Sequence, residues 1–164
     1  MDLDRYQYEV LRTFALTHNY NRWIFSILKP YLGKNTLEIG CGIGNLTCYL
    51  RQYTKLTCCD KSISFAKHMQ IDFPEIEFYN CDITDPNILS INKRFDTIVI
   101  INVLEHIEDD LRALQNIYDL LEKDGKLLIF VPALPLLYGT IDKNLGHFRS
   151  CLLYTSPSPR DRQK

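Results

Sequence analysis

Apolar positions along this chain form short, nearly continuous runs separated by amphipathic stretches of helix length. Runs of four to seven such residues bounded by turn formers read as strands buried on both faces, the pattern of a parallel sheet. Phe95–Ile101 meets that criterion, and shorter strands are expected at 36–39, 55–59 (closing on Asp60), Glu77–Asn80 and 126–131. Helices are expected between them. The first covers 4–32, where Trp23, Ile24, Ile27, Leu28 and Leu32 recur at spacings of three and four and Pro30 and Gly33 end the periodicity. Others are expected at 45–53, at 62–71 with Ser62 as N-cap and Pro74 beyond its end, and at 109–121, stopped by Asp124 and Gly125.

Strand and helix that alternate through connections of helix length imply right-handed crossovers. The expected fold is α/β: a Rossmann-like, doubly wound sheet of five parallel strands with flanking helices, forming one domain over residues 1–149. From about Cys151 the pattern stops. Residues 150–164 are rich in Ser, Pro and Arg without periodicity and are expected not to pack.

Composition narrows the function more than the fold. The chain has 164 residues, 46% hydrophobic, enough for one sizeable core. A net charge of −1 gives no electrostatic reason to expect nucleic acid or an anionic membrane as partner. No apolar run is long enough to span a bilayer, and residues 1–9 are too polar for a signal peptide. The six cysteines make no C-x-x-C pair, and no histidine lies near two of them, so neither a metal site nor a disulfide framework is expected. Cys41, Cys58, Cys59 and Cys81 stand in or beside apolar runs, as small hydrophobes in a reducing, cytoplasmic setting would.

Doubly wound sheets bind ligands beyond the carboxyl ends of their strands, so the residues just after each strand are the candidates. After the first comes Glu38-Ile39-Gly40-Cys41-Gly42-Ile43-Gly44-Asn45, where glycines let backbone approach a ligand closely. Asp60 ends the second strand, placed to accept hydrogen bonds from both hydroxyls of a ribose. Asp82 follows the third and Asn102 the fourth. A dinucleotide fingerprint G-x-G-x-x-G would need glycine at 45 or 47, where Asn45 and Thr47 stand. A ribose-binding acid without a pyrophosphate loop suggests a nucleoside ligand lacking phosphates, and S-adenosyl-L-methionine fits that description. Structural alternatives remain at each position. The glycines could form a tight turn, Asp82 a helix cap and Asn102 a turn; His106, Tyr20 and Trp23 could be packing residues.

Leu37 to Thr47 resembles the first motif of class I S-adenosylmethionine-dependent methyltransferases, and Asn102-Val103-Leu104-Glu105-His106-Ile107 their motif at the fourth strand. With Asp60 and Asp82 between, the resemblance covers residues 36–131; 19–23 and 137–149 are similar to flanking regions of a small-molecule subgroup. It implies that Gly40, Cys41, Gly42 and Gly44 wrap the methionine part of the cofactor and that Glu38 supports the loop. It further implies Asp60 on the ribose, Lys61 and Ser62 beside the adenine, Asp82 on the adenine amino group assisted by backbone at Ile83, and Asn102 with Val103 near the cofactor's ammonium. His147 is the candidate for a substrate-side acid–base role. The implied reaction is in-line methyl transfer to a small-molecule, lipid or glycan-pathway acceptor. The alternatives are a non-catalytic nucleoside-binding module, an inactive truncated product, or an NAD-dependent dehydrogenase. The family's sheet has two strands beyond the fifth, so the chain is expected to be an incomplete copy whose residues from about Cys151 do not belong to the natural protein. An uncovered fifth strand would then be an aggregation-prone edge.

Overall fold

Backbone geometry comes from a computed structural model that describes residues 3–131 and Phe148, with side chains from Gln7 onward. The strands are β1 (Asn35–Ile39), β2 (Lys55–Asp60), β3 (Glu77–Asn80), β4 (Phe95–Ile101) and β5 (Leu121–Phe130). They form one sheet in the order β3-β2-β1-β4-β5, with every pairing parallel. The expected doubly wound topology is therefore present. The order reverses between β1 and β4, which opens a crevice at the carboxyl end of β1.

Helices α1 (Leu3–Ala15), α2 (His18–Leu28), α3 (Thr47–Leu50), α4 (Ile63–Asp72) and α5 (Asp110–Leu120) flank this sheet. One face carries Ile24, Phe25 and Leu28 of α2, Leu50 of α3 and Met69 of α4. The other carries Ile117 and Leu120 of α5 with Ile88 and Ile91 from a 3-10 segment, Pro86–Ile91. Ile98, Val99 and Ile100 of β4 are fully buried between the layers, as their continuous apolar run requires.

Boundaries depart from expectation in four places. The single helix over 4–32 is two helices followed by a 3-10 turn, Lys29–Tyr31. The Thr17 hydroxyl donates to Phe14 O (2.6 Å), and the Asn21 amide donates to the same carbonyl (2.9 Å). Side chains that offer the backbone such bonds break a helix there. The buried face of α2 is also rotated: Phe25 is inside, stacked on Tyr49 at 5.6 Å, while Trp23 and Ile27 are exposed. The helix expected over 45–53 shrinks to α3, because the chain tightens to i→i−3 bonds at Gln52 and Tyr53. Finally, α5, expected over 109–121, ends at Leu120, and β5 begins at Leu121 instead of 126; the last helix carbonyls are met by Arg94, which donates to Asp119 O (2.7 Å) and Leu121 O (3.1 Å). The Asp124-Gly125 turn is absorbed into β5 as a bulge opposite Asp96, with Asp124 at φ 63°.

At the amino end of β1 the Asp96 carboxylate accepts from Lys34 N (2.7 Å) and Asn35 N (3.0 Å). Gly33 leaves the space: a Cβ there would lie 2.0 Å from Asp96 Oδ1.

Candidate cofactor site

β1 delivers Glu38 and then the glycine loop. Gly40, Gly42 and Gly44 all have left-handed backbone, at φ 72°, 56° and 87°. At Gly40 a Cβ would lie 2.2 Å from Val103 Cγ2, so the loop and the segment after β4 touch only because the residue is glycine. At Gly42 a Cβ would meet Leu11 Cδ1 at 2.9 Å.

Asp60 is buried at the end of β2 and joins the loop to the next strand. Its Oδ2 accepts from Gly42 N and its Oδ1 from Ser62 N, both at 2.9 Å. Its backbone carbonyl accepts from Cys81 N (3.0 Å) and the Asn80 amide (2.9 Å). One residue thus ties together the carboxyl ends of β1, β2 and β3.

Beside Asp60 opens a cleft of about 790 Å³, lined among others by Lys61, Ser62, Cys81, Asp82, Ile88 and Gln7. The sequence places three of these six, Lys61, Ser62 and Asp82, in the site; Cys81, Ile88 and Gln7 come only with the fold. Asp82 is exposed, and its Oδ1 accepts from Thr84 N and the Thr84 hydroxyl, both at 2.8 Å. That bond makes it a turn-former as well as a candidate. Ile83 is buried, and its carbonyl accepts from the Asn116 amide at 2.7 Å, leaving its N–H as the backbone group to offer a ligand. Ser62 occupies the N-cap position of α4, yet its hydroxyl shares a hydrogen bond with Ser64 instead of capping. Asn102 has left-handed backbone (φ 52°), and its N–H donates to Phe130 O at 2.8 Å. His106 stands in a 3-10 turn, Leu104–His106. Tyr20 and Trp23 belong to an aromatic ladder from Phe14 to Phe130, with Trp23 edge-on to Phe130 at 5.9 Å. His147, Arg149 and the tail lie outside the described residues.

Glu38 is buried directly beneath the loop, where its Oε2 accepts from the Thr47 hydroxyl at 2.6 Å and the Cys58 thiol at 3.5 Å. Burial pushes its carboxyl up to about 7, despite the two hydrogen bonds that favour the ionised form; the nearby Asp60 charge adds to the rise. Cys59 is buried, and hydrogen bonding to Cys81 and burial raise its thiol. Cys81 is half-buried in the cleft wall, and that same bond from Cys59 lowers its thiol. Among the described residues no group of three or more His, Cys, Asp or Glu could hold a metal, and no helix is long and apolar enough to cross a membrane.

The loop differs physically from a dinucleotide cradle. Asn45, where the third glycine of that fingerprint would stand, donates its amide to Leu11 O at 2.9 Å. The helix after the loop begins only at Thr47 and runs four residues, too short a dipole to hold a pyrophosphate.

Comparison with solved structures gives the same fold. A coclaurine N-methyltransferase bound to N-methylheliamine and SAH aligns at a TM-score of 0.58 and 21% identity, over 66% of this chain and 35% of that one. Streptomyces venezuelae DesVI aligns at 0.69 and 14%, over 85% and 62%. The glycopeptide N-methyltransferase MtfA with S-adenosyl-L-methionine aligns at 0.59 and 22%, over 74% and 57%. The chain spans about a third to a half of the first structures it matches. No curated protein matches its sequence. A family model described as a methyltransferase domain matches residues 37–127, more than half of the 164 residues, and the chain belongs to that family.

Proposed function

We propose that this chain binds S-adenosyl-L-methionine and is the cofactor-binding part of an enzyme that methylates a small-molecule, lipid or glycan-pathway acceptor. The observation that carries the reading is Asp60, whose carboxylate fixes the glycine loop by Gly42 N while facing a cleft sized for a nucleoside. In this reading Gly40, Cys41, Gly42 and Gly44 admit the methionine part where any Cβ would intrude, and Glu38 supports them from below. Asp60 accepts from the ribose hydroxyls, with Lys61 and Ser62 beside it. Asp82 and the N–H of Ile83 meet the adenine, and Asn102 with Val103 lies at the ammonium end. The domain covers 1–149, with 150–164 outside it.

The cofactor supplies an electrophilic methyl group on a sulfonium. The protein supplies alignment and exclusion of water, and alignment alone is worth about 7–11 kcal/mol in well-oriented pairs. An amine acceptor that arrives neutral needs no protein base. Two similar structures are of N-methyltransferases, which supports an acceptor of that class. A hydroxyl acceptor would need a base, and His147 is the residue the sequence offers.

The test is a thermal shift of the chain with S-adenosylhomocysteine and, separately, with NAD. At a hundred times its dissociation constant a ligand stabilises by about 2.7 kcal/mol, a rise of several degrees for a domain of this size. A shift with NAD and none with S-adenosylhomocysteine would reverse the assignment in favour of a dehydrogenase.

A further inference from the structure

Two thiols meet at the carboxyl end of the sheet. Cys59 is buried in β2, and Cys81 directly follows β3. The register pairs Cys59 with Tyr79, so Cys81, two residues on, returns to the same side of the sheet. Both pack in the layer that carries α5. Cys81 N donates to Asp60 O at 3.0 Å, which fixes its backbone beside the proposed ribose site. The Cys59 thiol donates to the Cys81 sulfur, and Cys81 lines the cleft with Lys61 and Asp82. Burial and the Asp60, Asp82 and Asp85 carboxylates oppose ionisation of Cys81, yet the bond from Cys59 outweighs them and holds the thiol below its ordinary range. Cys41 and Cys58 are also hydrogen-bonded to one another, but both are buried in the core. Cys48 is half-buried, and burial raises its thiol. Among the described residues, only at Cys81 does a thiol backed by a second thiol face the cleft.

We propose that Cys81 is a covalent modification site that exchanges with small disulfides, with Cys59 as the positioning residue behind it, and that the adduct closes the cleft to a nucleoside. The closing step rests on the cofactor reading above; the exchange itself does not. The Cys81 thiolate attacks one sulfur of a small disulfide R–S–S–R. A bond forms between Cys81 and that sulfur, the original S–S bond breaks, and the departing R–S− takes a proton from water. Excess small thiol runs the exchange backward. Cys81 directly precedes Asp82 and Ile83, so an R group on its sulfur enters the cleft where the proposed adenine contacts lie.

The test treats the 164-residue chain with hydroxyethyl disulfide, maps adducts by peptide mass spectrometry, and measures S-adenosylhomocysteine affinity by calorimetry. The adduct is expected at Cys81 ahead of the other described cysteines. It should weaken binding about tenfold or more, with recovery on reduction. In Cys81→Ser, treated and untreated chains should bind alike. The pH profile of exchange at Cys81 should move to higher pH in Cys59→Ala and return toward the parent in Cys59→Ser, whose hydroxyl still donates. Silence of Cys41 and Cys58 reports that these variants stay folded. Earlier reaction at another of the described cysteines, or a profile unmoved in Cys59→Ala, overturns the site. An adduct at Cys81 that leaves affinity unchanged overturns the closing step, and the cofactor reading stands. If the untreated chain does not bind S-adenosylhomocysteine, the cofactor reading falls with the closing step, and the exchange alone decides the site.

Discussion

Glu38→Gln isolates the energetics of the buried carboxyl under the glycine loop. In the folded chain that carboxyl is raised from 4.5 to about 7, mainly by burial. The folded state thus holds the proton more tightly than the unfolded one. The stability linked to the protonated form is fully present below about 4.5, falls as pH rises, and is lost above about 7. The loss is (7 − 4.5) units at about 1.4 kcal/mol each, or about 3 kcal/mol. That is a large share of the 5–15 kcal/mol typical of a domain. Glutamine keeps an oxygen for the Thr47 hydroxyl and cannot ionise. Groups that titrate identically in both proteins cancel in the difference between them. Urea unfolding of the ligand-free proteins, followed by circular dichroism from pH 5 to 8.5, reads that difference. The variant should exceed the parent by about 1 kcal/mol at pH 5 and by about 3 kcal/mol at pH 8. A difference that stays constant across the range would refute the placement of Glu38 as a desolvated carboxyl.

Three further outcomes are expected. Gly42→Val puts a β-branched side chain at φ 56° and against Leu11, so it should lower stability by about 1–3 kcal/mol and abolish S-adenosylhomocysteine binding; binding within a few-fold would show that the loop is not the cradle. Asp96→Ala removes the carboxylate that accepts from Lys34 N and Asn35 N; chemical denaturation should show a loss of about 2 kcal/mol with ligand affinity per folded molecule unchanged. Alkylation by iodoacetamide, read by peptide mass spectrometry, should reach Cys81 before Cys41, Cys58 or Cys59, because Cys81 alone of these combines partial exposure with a lowered thiol. Prior labelling of Cys59 would contradict that pairing.

The central strand was legible because a strand buried on both faces leaves an unbroken apolar run; Phe95–Ile101 needs no partner to be recognised. The loop and Asp60 were legible because glycine and a strand-end carboxylate are read from identity and order. Helix limits were less so. The break at Thr17 depends on which carbonyl two side chains reach, and the rotated face of α2 depends on Phe25 finding Tyr49. The first is local side-chain competition for a backbone carbonyl, the second a tertiary contact, and both override the apolar periodicity. The role of Asp60 in fastening Gly42, and the arrival of Gln7 in the cleft, join residues 18 and more positions apart. No local pattern encodes such contacts.

The Asp96 carboxylate fastens the amino end of β1, and the Asp60 carboxylate its carboxyl end. The first bond set lies at the opposite pole of the strand from the cleft, the second in its wall. Tolerance to mutation should therefore be polarised along the strand axis. Substitutions near Gly33 and Asp96 will be tolerated or not according to how much folding free energy the rest of the protein holds in reserve, whatever acceptor it serves. Those near Gly42 and Asp60, on the proposed cofactor reading, change fold and ligand binding together and cannot be rescued by stabilising the protein elsewhere. If the proposed cofactor reading holds, a lineage can change the residues around Asp96 freely once it has stability to spare, while the Gly42–Asp60 bond confines it to one ligand.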